Sequence, residues 1–267
     1  MTMSGRRRAG RRGLVLGAAL ALALAGSTAA ARPLEVIRDR GVLSLCAHAN
    51  ALPFSSKTLD PPGFQVELGR ALAAELGVTL RVEWVTTGFQ FRAADCDIVL
   101  DTIAVAEAQE ERHLQLSRPY QQSGVGLAFR PDVTGIAGFA DLDGRRVAVQ
   151  SGSLAAMLLA RRGARIVPFG FEEEMVEAAE RGEVAAAAVS PATVGYFNLT
   201  HGGAPLVFVR AYEGDPDLSW NLAVGLRRAD EPLREAIDRA IDRLLADGAI
   251  ARIYARYGIE HRPPASR

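Results

Sequence analysis

Lysine and cysteine are almost missing from this chain. Lys57 is the only lysine, and Cys46 and Cys96 are the only cysteines. Positive charge is therefore nearly all arginine, which we read as coding bias before function. The four histidines, His48, His113, His201 and His261, have no metal-ligand spacing to one another or to a cysteine, so no metal site is predicted. Net charge is lacking too: 31 basic residues balance 31 acidic ones. Five arginines fall in the first 31 residues, which hold no acid, so the remainder carries 26 basic against 31 acidic side chains, about −5. That balance argues against a nucleic-acid-binding surface. There is no Gly-rich phosphate loop, no G-x-S-x-G elbow and no evident nucleophile–base pair. The sequence thus predicts a non-enzyme without a cofactor. The one long apolar run, Leu14 to Ala25, is short for a membrane span, and no later stretch is longer, so no membrane anchor is expected.

What is present points to a folded, exported protein. The 267 residues suffice for one large or two modest domains. Hydrophobic residues make up 49% and charged residues 23%, enough to build a core and too apolar for global disorder. The amino end has the three parts of an export signal. Arg6, Arg7, Arg8, Arg11 and Arg12 form the basic region, Leu14 to Ala25 the apolar run, and Ala29-Ala30-Ala31 the small-residue cleavage site. Arg11-Arg12-Gly13-Leu14-Val15 is similar to a twin-arginine signal, so both export routes stay open. Outside the cytoplasm disulfides persist. A Cys46–Cys96 bridge and two buried free thiols are both compatible with the sequence, because bridging depends on strand register.

The chain is organised around Leu43 to Leu76: an apolar strand, a polar loop holding Pro53 and Phe54 and closed by Pro61-Pro62-Gly63, and a helix from about Phe64. In that helix Phe64, Leu68, Leu72 and Leu76 recur every four residues and Gly77 stops it. Before it, Pro33 to Arg40 predicts a short helix stopped by Gly41, and Val42 to Ala47 the first strand. After it come strands at Val78 to Val85 and Cys96 to Leu100, the latter continuously apolar as a buried parallel strand would be. Asp101 to Gln115 is read as helix. Gly124 to Phe129 is a strand, after which the pattern restarts. Strands are predicted at Arg146 to Gln150, Arg165 to Pro168, Val184 to Val189, Pro205 to Val209 and Asn221 to Leu226. Helices are predicted from Ser153 through Ala160 and from Glu172 to Arg181, and Ser190-Pro191 is read as a break. The chain ends in helix, with Leu233, Ile237, Ile241, Leu244 and Leu245 on one face and a second segment, Ile250 to Tyr257, after Gly248. Strand–helix–strand order at this spacing implies parallel sheets. Two similar α/β units are thus inserted one in the other. Crossovers near Gln121 to Ser123 and near Trp220 form a two-stranded hinge that permits closure on a ligand.

These residues resemble a known family. Gly63-Phe64-Gln65-Val66-Glu67-Leu68, followed by Leu72, Ala73 and Leu76, resembles the first-helix signature of type II periplasmic solute-binding proteins, specifically bacterial extracellular solute-binding protein family 3. Only Gln65 departs, replacing an acid. Leu116-Ser117-Arg118-Pro119-Tyr120, the segment Arg146 to Gly152 and the segment Gly248 to Tyr257 resemble later family motifs in the right order. The resemblance implies an α/β fold of two lobes, each a mostly parallel five-stranded sheet flanked by helices. It places lobe 1 at 32–122 plus 221–267 and lobe 2 at 123–220, behind a signal peptide at 1–31. It implies a monomeric periplasmic protein closing on a small polar ligand and serving an ABC importer permease.

Family members that bind amino acids carry an arginine ahead of the Pro-Tyr motif for the substrate carboxylate. That position is Glu110 or Gln109 here, with Arg112 further on as a solvated residue. Their acid for the α-amino group falls near Ser190. An ordinary α-amino acid is therefore not the expected ligand. A narrower resemblance runs through Leu45-Cys46-Ala47-His48-Ala49-Asn50-Ala51-Leu52-Pro53-Phe54-Ser55, Cys96-Asp97-Ile98-Val99 and Ser190-Pro191 to Gly195-Tyr196-Phe197. It is to the branch associated with quinoprotein methanol and alcohol dehydrogenases, which makes such a dehydrogenase the alternative partner. The strand-end loops give the candidate ligand-binding residues: His48, Asn50, Phe54, Asp101, Thr102, Tyr120, Ser151, Gly152, Ser153, Ser190 and Tyr196. Of these, Ser153 at a helix start favours an anion or carbonyl, or simply caps the helix.

Overall fold

The computed structural model describes residues 33–265 apart from 59, 87–89, 91–92, 95, 106–113 and 228. The signal expected at 1–31, the Gln109, Glu110 and Arg112 positions and His113 lie outside the described residues.

The helix α1 (Leu34–Arg40) ends at Gly41, whose left-handed backbone (φ 67°) a side chain would strain. Strand β1 (Val42–His48) follows, then a small hairpin of β2 (Asn50–Ala51) and β3 (Ser55–Ser56) within the loop. Helix α2 (Phe64–Glu75) turns Phe64, Leu68 and Leu72 to the core, as the four-residue spacing requires. Next come β4 (Thr79–Val85) and β5 (Ile98–Ile103). Both pair parallel with β1, which is why β1 is buried from Leu43 to Ala47. Helix was expected from Asp101 to Gln115. Its described ends are strand instead: Asp101 to Ile103 extend β5, and β6 (Leu114–Leu116) closes the segment.

Strands β7 (Gln121–Gly124) and β8 (Gly126–Phe129) carry the chain from the first sheet into the second. There it forms β9 (Arg146–Gln150), α3 (Leu154–Arg161), β10 (Arg165–Phe169), α4 (Glu172–Glu180) and β11 (Ala186–Val189). Helix α5 (Pro191–Thr200) starts where only a break was expected. The Ser190 hydroxyl accepts the Thr193 N–H at 3.3 Å and Pro191 needs no donor at the first helical position. After β12 (Val207–Val209), strand β13 (Ser219–Arg227) returns to the first sheet. Helices α6 (Glu231–Ala246) and α7 (Ala249–Ala255) cover it.

The first sheet runs β4-β1-β5-β13-β6, with β7 also paired to β13. It therefore has six strands where five were expected, and β13 is antiparallel to β5, β6 and β7. Strand alternation fixes which face a residue takes but not the direction of its neighbour. The second sheet runs β10-β9-β11-β8-β12, parallel among β10, β9 and β11 and antiparallel around β8. Its two faces feed separate cores. Leu127, Val147, Val149 and Ala188 point one way with Leu159, while Ala128, Ala148 and Val189 point the other with Met175 and Val176.

Cys46 and Cys96 are bridged, with Cα atoms 5.4 Å apart, so the free-thiol alternative falls away. The bridge closes a sequence separation of 50, which loop-closure entropy values at about 4 kcal/mol. Beside it, the buried Asp97 accepts hydrogen bonds from the Ser44 N–H (2.7 Å), the Ser44 hydroxyl (2.7 Å) and Arg40 (2.6 Å). That buried charge ties α1, β1 and the start of β5 together.

Candidate functional site

The carboxyl ends of β1, β9 and β11 open onto one cleft of about 450 Å³. From the first sheet it takes His48, Asn50, Ala51, Leu52, Phe54, Ser55 and Gln65. From the second it takes Gln150, Phe171, Glu172, Glu173, Ser190 and Thr193.

The β1 side is set by backbone bonds. The Ser55 hydroxyl donates to the His48 carbonyl at 2.8 Å. The Asn50 N–H donates to His48 Nδ1 at 3.2 Å, so in the neutral ring the proton sits on Nε2. The loop then folds back on the start of α2. The Phe64 and Gln65 N–H groups donate to the Pro53 and Phe54 carbonyls, each at 2.9 Å. Gly63 (φ 99°) must be glycine here, since a Cβ would stand 2.4 Å from the Phe54 carbonyl oxygen. Phe54 packs on Phe64 with ring centroids 5.2 Å apart.

Gln65 is held from behind. Its amide donates to Asp101 Oδ2 at 2.7 Å, while the Tyr120 and Tyr254 hydroxyls donate to Oδ1 at 2.7 and 3.4 Å. Asp101 is the one described non-glycine residue at positive φ (53°), a conformation costing about 1–2 kcal/mol. Its own N–H donates to the Tyr120 oxygen at 2.8 Å, which helps to hold it there. Burial raises the Asp101 pKa, and the bonds from Gln65, Tyr120 and Tyr254 pull it partly back. Burial, then the Asp101 charge, pushes the Tyr120 and Tyr254 phenols well above their ordinary value. The Tyr254 hydroxyl bond to Asp101 adds to that rise.

On the opposite wall Glu172 reaches over the start of α5. Its Oε1 accepts the Ser190 N–H at 3.0 Å, and its Oε2 accepts the Ser190 hydroxyl at 2.6 Å together with the Thr193 hydroxyl. Among the described residues neither Glu172 nor Glu173 has an ion-pair partner. The Glu173 pKa is raised by burial and by the neighbouring Glu177 and Glu174 charges.

The structure brings His48, Asn50, Phe54 and Ser190 together in this cleft. Asp101 and the fully buried Tyr120 stand behind Gln65 and reach the cleft only through it. Thr102 is buried in β5 against Gly225. Ser151, Gly152 and Ser153 do not line the cleft, though Gln150 beside them does; the Ser153 hydroxyl caps α3 through the Ala156 N–H at 3.1 Å. Tyr196 packs on Tyr257 (6.2 Å between centroids) and lines a neighbouring depression with Leu52, Pro53 and Thr193. The lack of charge expected at Ser190 is corrected, because Glu172 brings a carboxylate there from another element. Gln65, Phe171, Glu172, Glu173 and Thr193 were not foreseen. Gln65 left a trace as the one departure from the α2 motif. The glutamates left none, since Glu172, Glu173 and Glu174 suit any helix start. Among the described residues no cluster of His, Cys, Asp and Glu is arranged to hold a metal, and no helix is long and apolar enough to cross a membrane.

Comparison with known proteins gives concordant relatives. The profile of the bacterial extracellular solute-binding proteins, family 3, matches residues 43–260. The probable amino-acid-binding protein YxeM of Bacillus subtilis is 25% identical, over 82% of this chain and 84% of its own. The membrane-bound lytic murein transglycosylase F of Desulfosudis oleivorans is also 25% identical, but this chain spans only 49% of its length. Among solved structures, an ancestral cationic amino acid solute-binding protein superposes with a TM-score of 0.69. It is 25% identical, over 84% of this chain and 99% of its own.

Proposed function

We propose, since the chain belongs to the bacterial extracellular solute-binding proteins, family 3, that it closes on a small polar ligand other than an ordinary α-amino acid. The observation that carries this reading is the 450 Å³ cleft, lined from both sheets at their strand ends and, among the described residues, by no lysine or arginine to pair with an α-carboxylate. The lobes are residues 32–122 plus 221–267 and residues 123–220. The hinge is β7 with the start of β13, paired antiparallel from Ser219 opposite Gly124 to Leu222 opposite Gln121. Two adjacent strands bend together, so the lobes rotate about them without breaking either core. The site residues are His48, Asn50, Phe54, Gln65, Gln150, Glu172 and Ser190, with Asp101 positioning Gln65. No catalytic role is assigned, and the protein works in the periplasm with an ABC importer permease as its partner.

A second reading keeps the fold and changes the partner to a quinoprotein dehydrogenase. It is favoured by the Leu45 to Ser55 segment, which carries the resemblance to that branch, builds the cleft wall and is pinned by the Cys46–Cys96 bridge.

A thermal-shift screen of amines, acids, sugars and alcohol-oxidation products tests the first reading. A ligand bound at 100 times its Kd stabilises the folded form by about 2.7 kcal/mol, a rise of several degrees. At least one compound class is expected to give that rise. No shift across the whole panel, with co-purification of a dehydrogenase, would favour the second reading.

A further inference from the structure

We propose that the cleft takes an organic cation: a small amine whose ammonium group meets the Glu172 carboxylate and whose carbon frame lies against Phe54 and Phe171. This deepens the binding reading above and rests on the cleft being the ligand site. The first observation is charge. Glu172 and Glu173 line the cleft, and no lysine or arginine lines it among the described residues. A carboxylate in a partly enclosed space without an ion-pair partner sets up a negative potential that favours a cation and repels an anion.

The second observation is that several donors able to greet an anion are already used. The start of α2 gives its N–H groups to the Pro53 and Phe54 carbonyls. The start of α3 is capped by Ser153. Ahead of α4, the Gly170 and Phe171 N–H groups donate to Glu174, each at 3.2 Å. At α5 the Ser190 N–H goes to Glu172 and the Thr193 N–H to the Ser190 hydroxyl. Part of the donor capacity of the helix starts around the cleft is thus taken up by the protein, and at α5 the acceptor is itself a carboxylate.

The third observation is geometry. A carboxylate offers about four acceptor directions. Ser190 and Thr193 occupy two on Oε2, and the Ser190 N–H occupies one on Oε1. One direction on Oε1 is left for an N–H donor, on a group whose position is fixed in advance. Phe171 is 66% exposed at the cleft mouth although it is large and apolar, and Phe54 faces the same space. An aromatic face beside a carboxylate suits an ammonium on a hydrocarbon frame.

The test is isothermal titration of the purified protein at low salt with the primary amines phenethylamine and putrescine. Phenethyl alcohol, phenylacetate, glutamate and glucose serve as comparators. At least one amine is expected to bind, at least tenfold tighter than any comparator and more weakly as salt rises. Glu172→Gln is expected to weaken that amine at least tenfold. Because Glu172 also holds the start of α5, Glu173→Gln, which leaves those bonds intact, is the second variant and is expected to weaken binding several-fold. Binding of phenylacetate, glutamate, glucose or phenethyl alcohol with no amine binding overturns the cation proposal and leaves the receptor reading standing. Amine binding that neither variant weakens also overturns it. No binding by any probe removes the receptor reading and this proposal together.

Discussion

Asp101 shows at the scale of one residue how a half-buried group serves a neighbour. Its carboxylate touches Gln65, Tyr120 and Tyr254, and Gln65 in turn lines the cleft. Burial raises its pKa from the ordinary 3.8, so the folded protein holds that proton more tightly than the unfolded chain does. The resulting stability is fully present below about pH 3.8 and is lost as pH rises through the folded pKa. Asp101→Asn removes this dependence. In urea melts taken from pH 7 down to pH 4, the wild type is expected to gain on Asp101→Asn, by about 1.4 kcal/mol for each unit by which burial lifts the pKa. A difference that is flat with pH, or moves the other way, would rule this out. Asp101 was legible as a strand-end acid, but its task was not. Whether a carboxylate faces solvent or two phenols depends on Tyr120 and Tyr254, which are 19 and 153 residues away in sequence.

Between elements, a close backbone approach joins α5 to the turn after α7. A Cβ on Gly195 would lie 2.4 Å from the Gly258 carbonyl oxygen, and a Cβ on Gly258 would lie 2.4 Å from that of Gly195. One glycine belongs to the part built on the second sheet, the other to the helical cover of the first. Gly195→Ala is expected to push them apart, costing about 1–3 kcal/mol of stability as overpacking does. It is also expected to weaken ligand binding by widening the cleft that Ser190 and Thr193 share on the same helix. Chemical denaturation and titration read the two effects, and an unchanged midpoint would show that the contact is not needed. Helix and strand positions were mostly legible, because four-residue and two-residue apolar spacings fix them locally. Ser190-Pro191 was misread because the same pair that breaks a strand also starts a helix. The antiparallel course of β13 was hidden because direction follows from where the chain has come from.

For the whole molecule, two sheets with separate cores are linked by β7 and β13, and a cleft lies where their strand ends meet. The inserted order of the two units was legible from the repeat of strand and helix spacings. The composition of the cleft was only half legible, since each wall borrows side chains from helix starts that carry no local signal. Closure about the hinge is the central claim, and small-angle X-ray scattering tests it most directly. The radius of gyration is measured with and without a saturating compound that binds one to one by calorimetry. We predict that it falls on binding, as the two lobes rotate together over the cleft. A compound that saturates the protein and leaves the scattering curve unchanged would contradict the account.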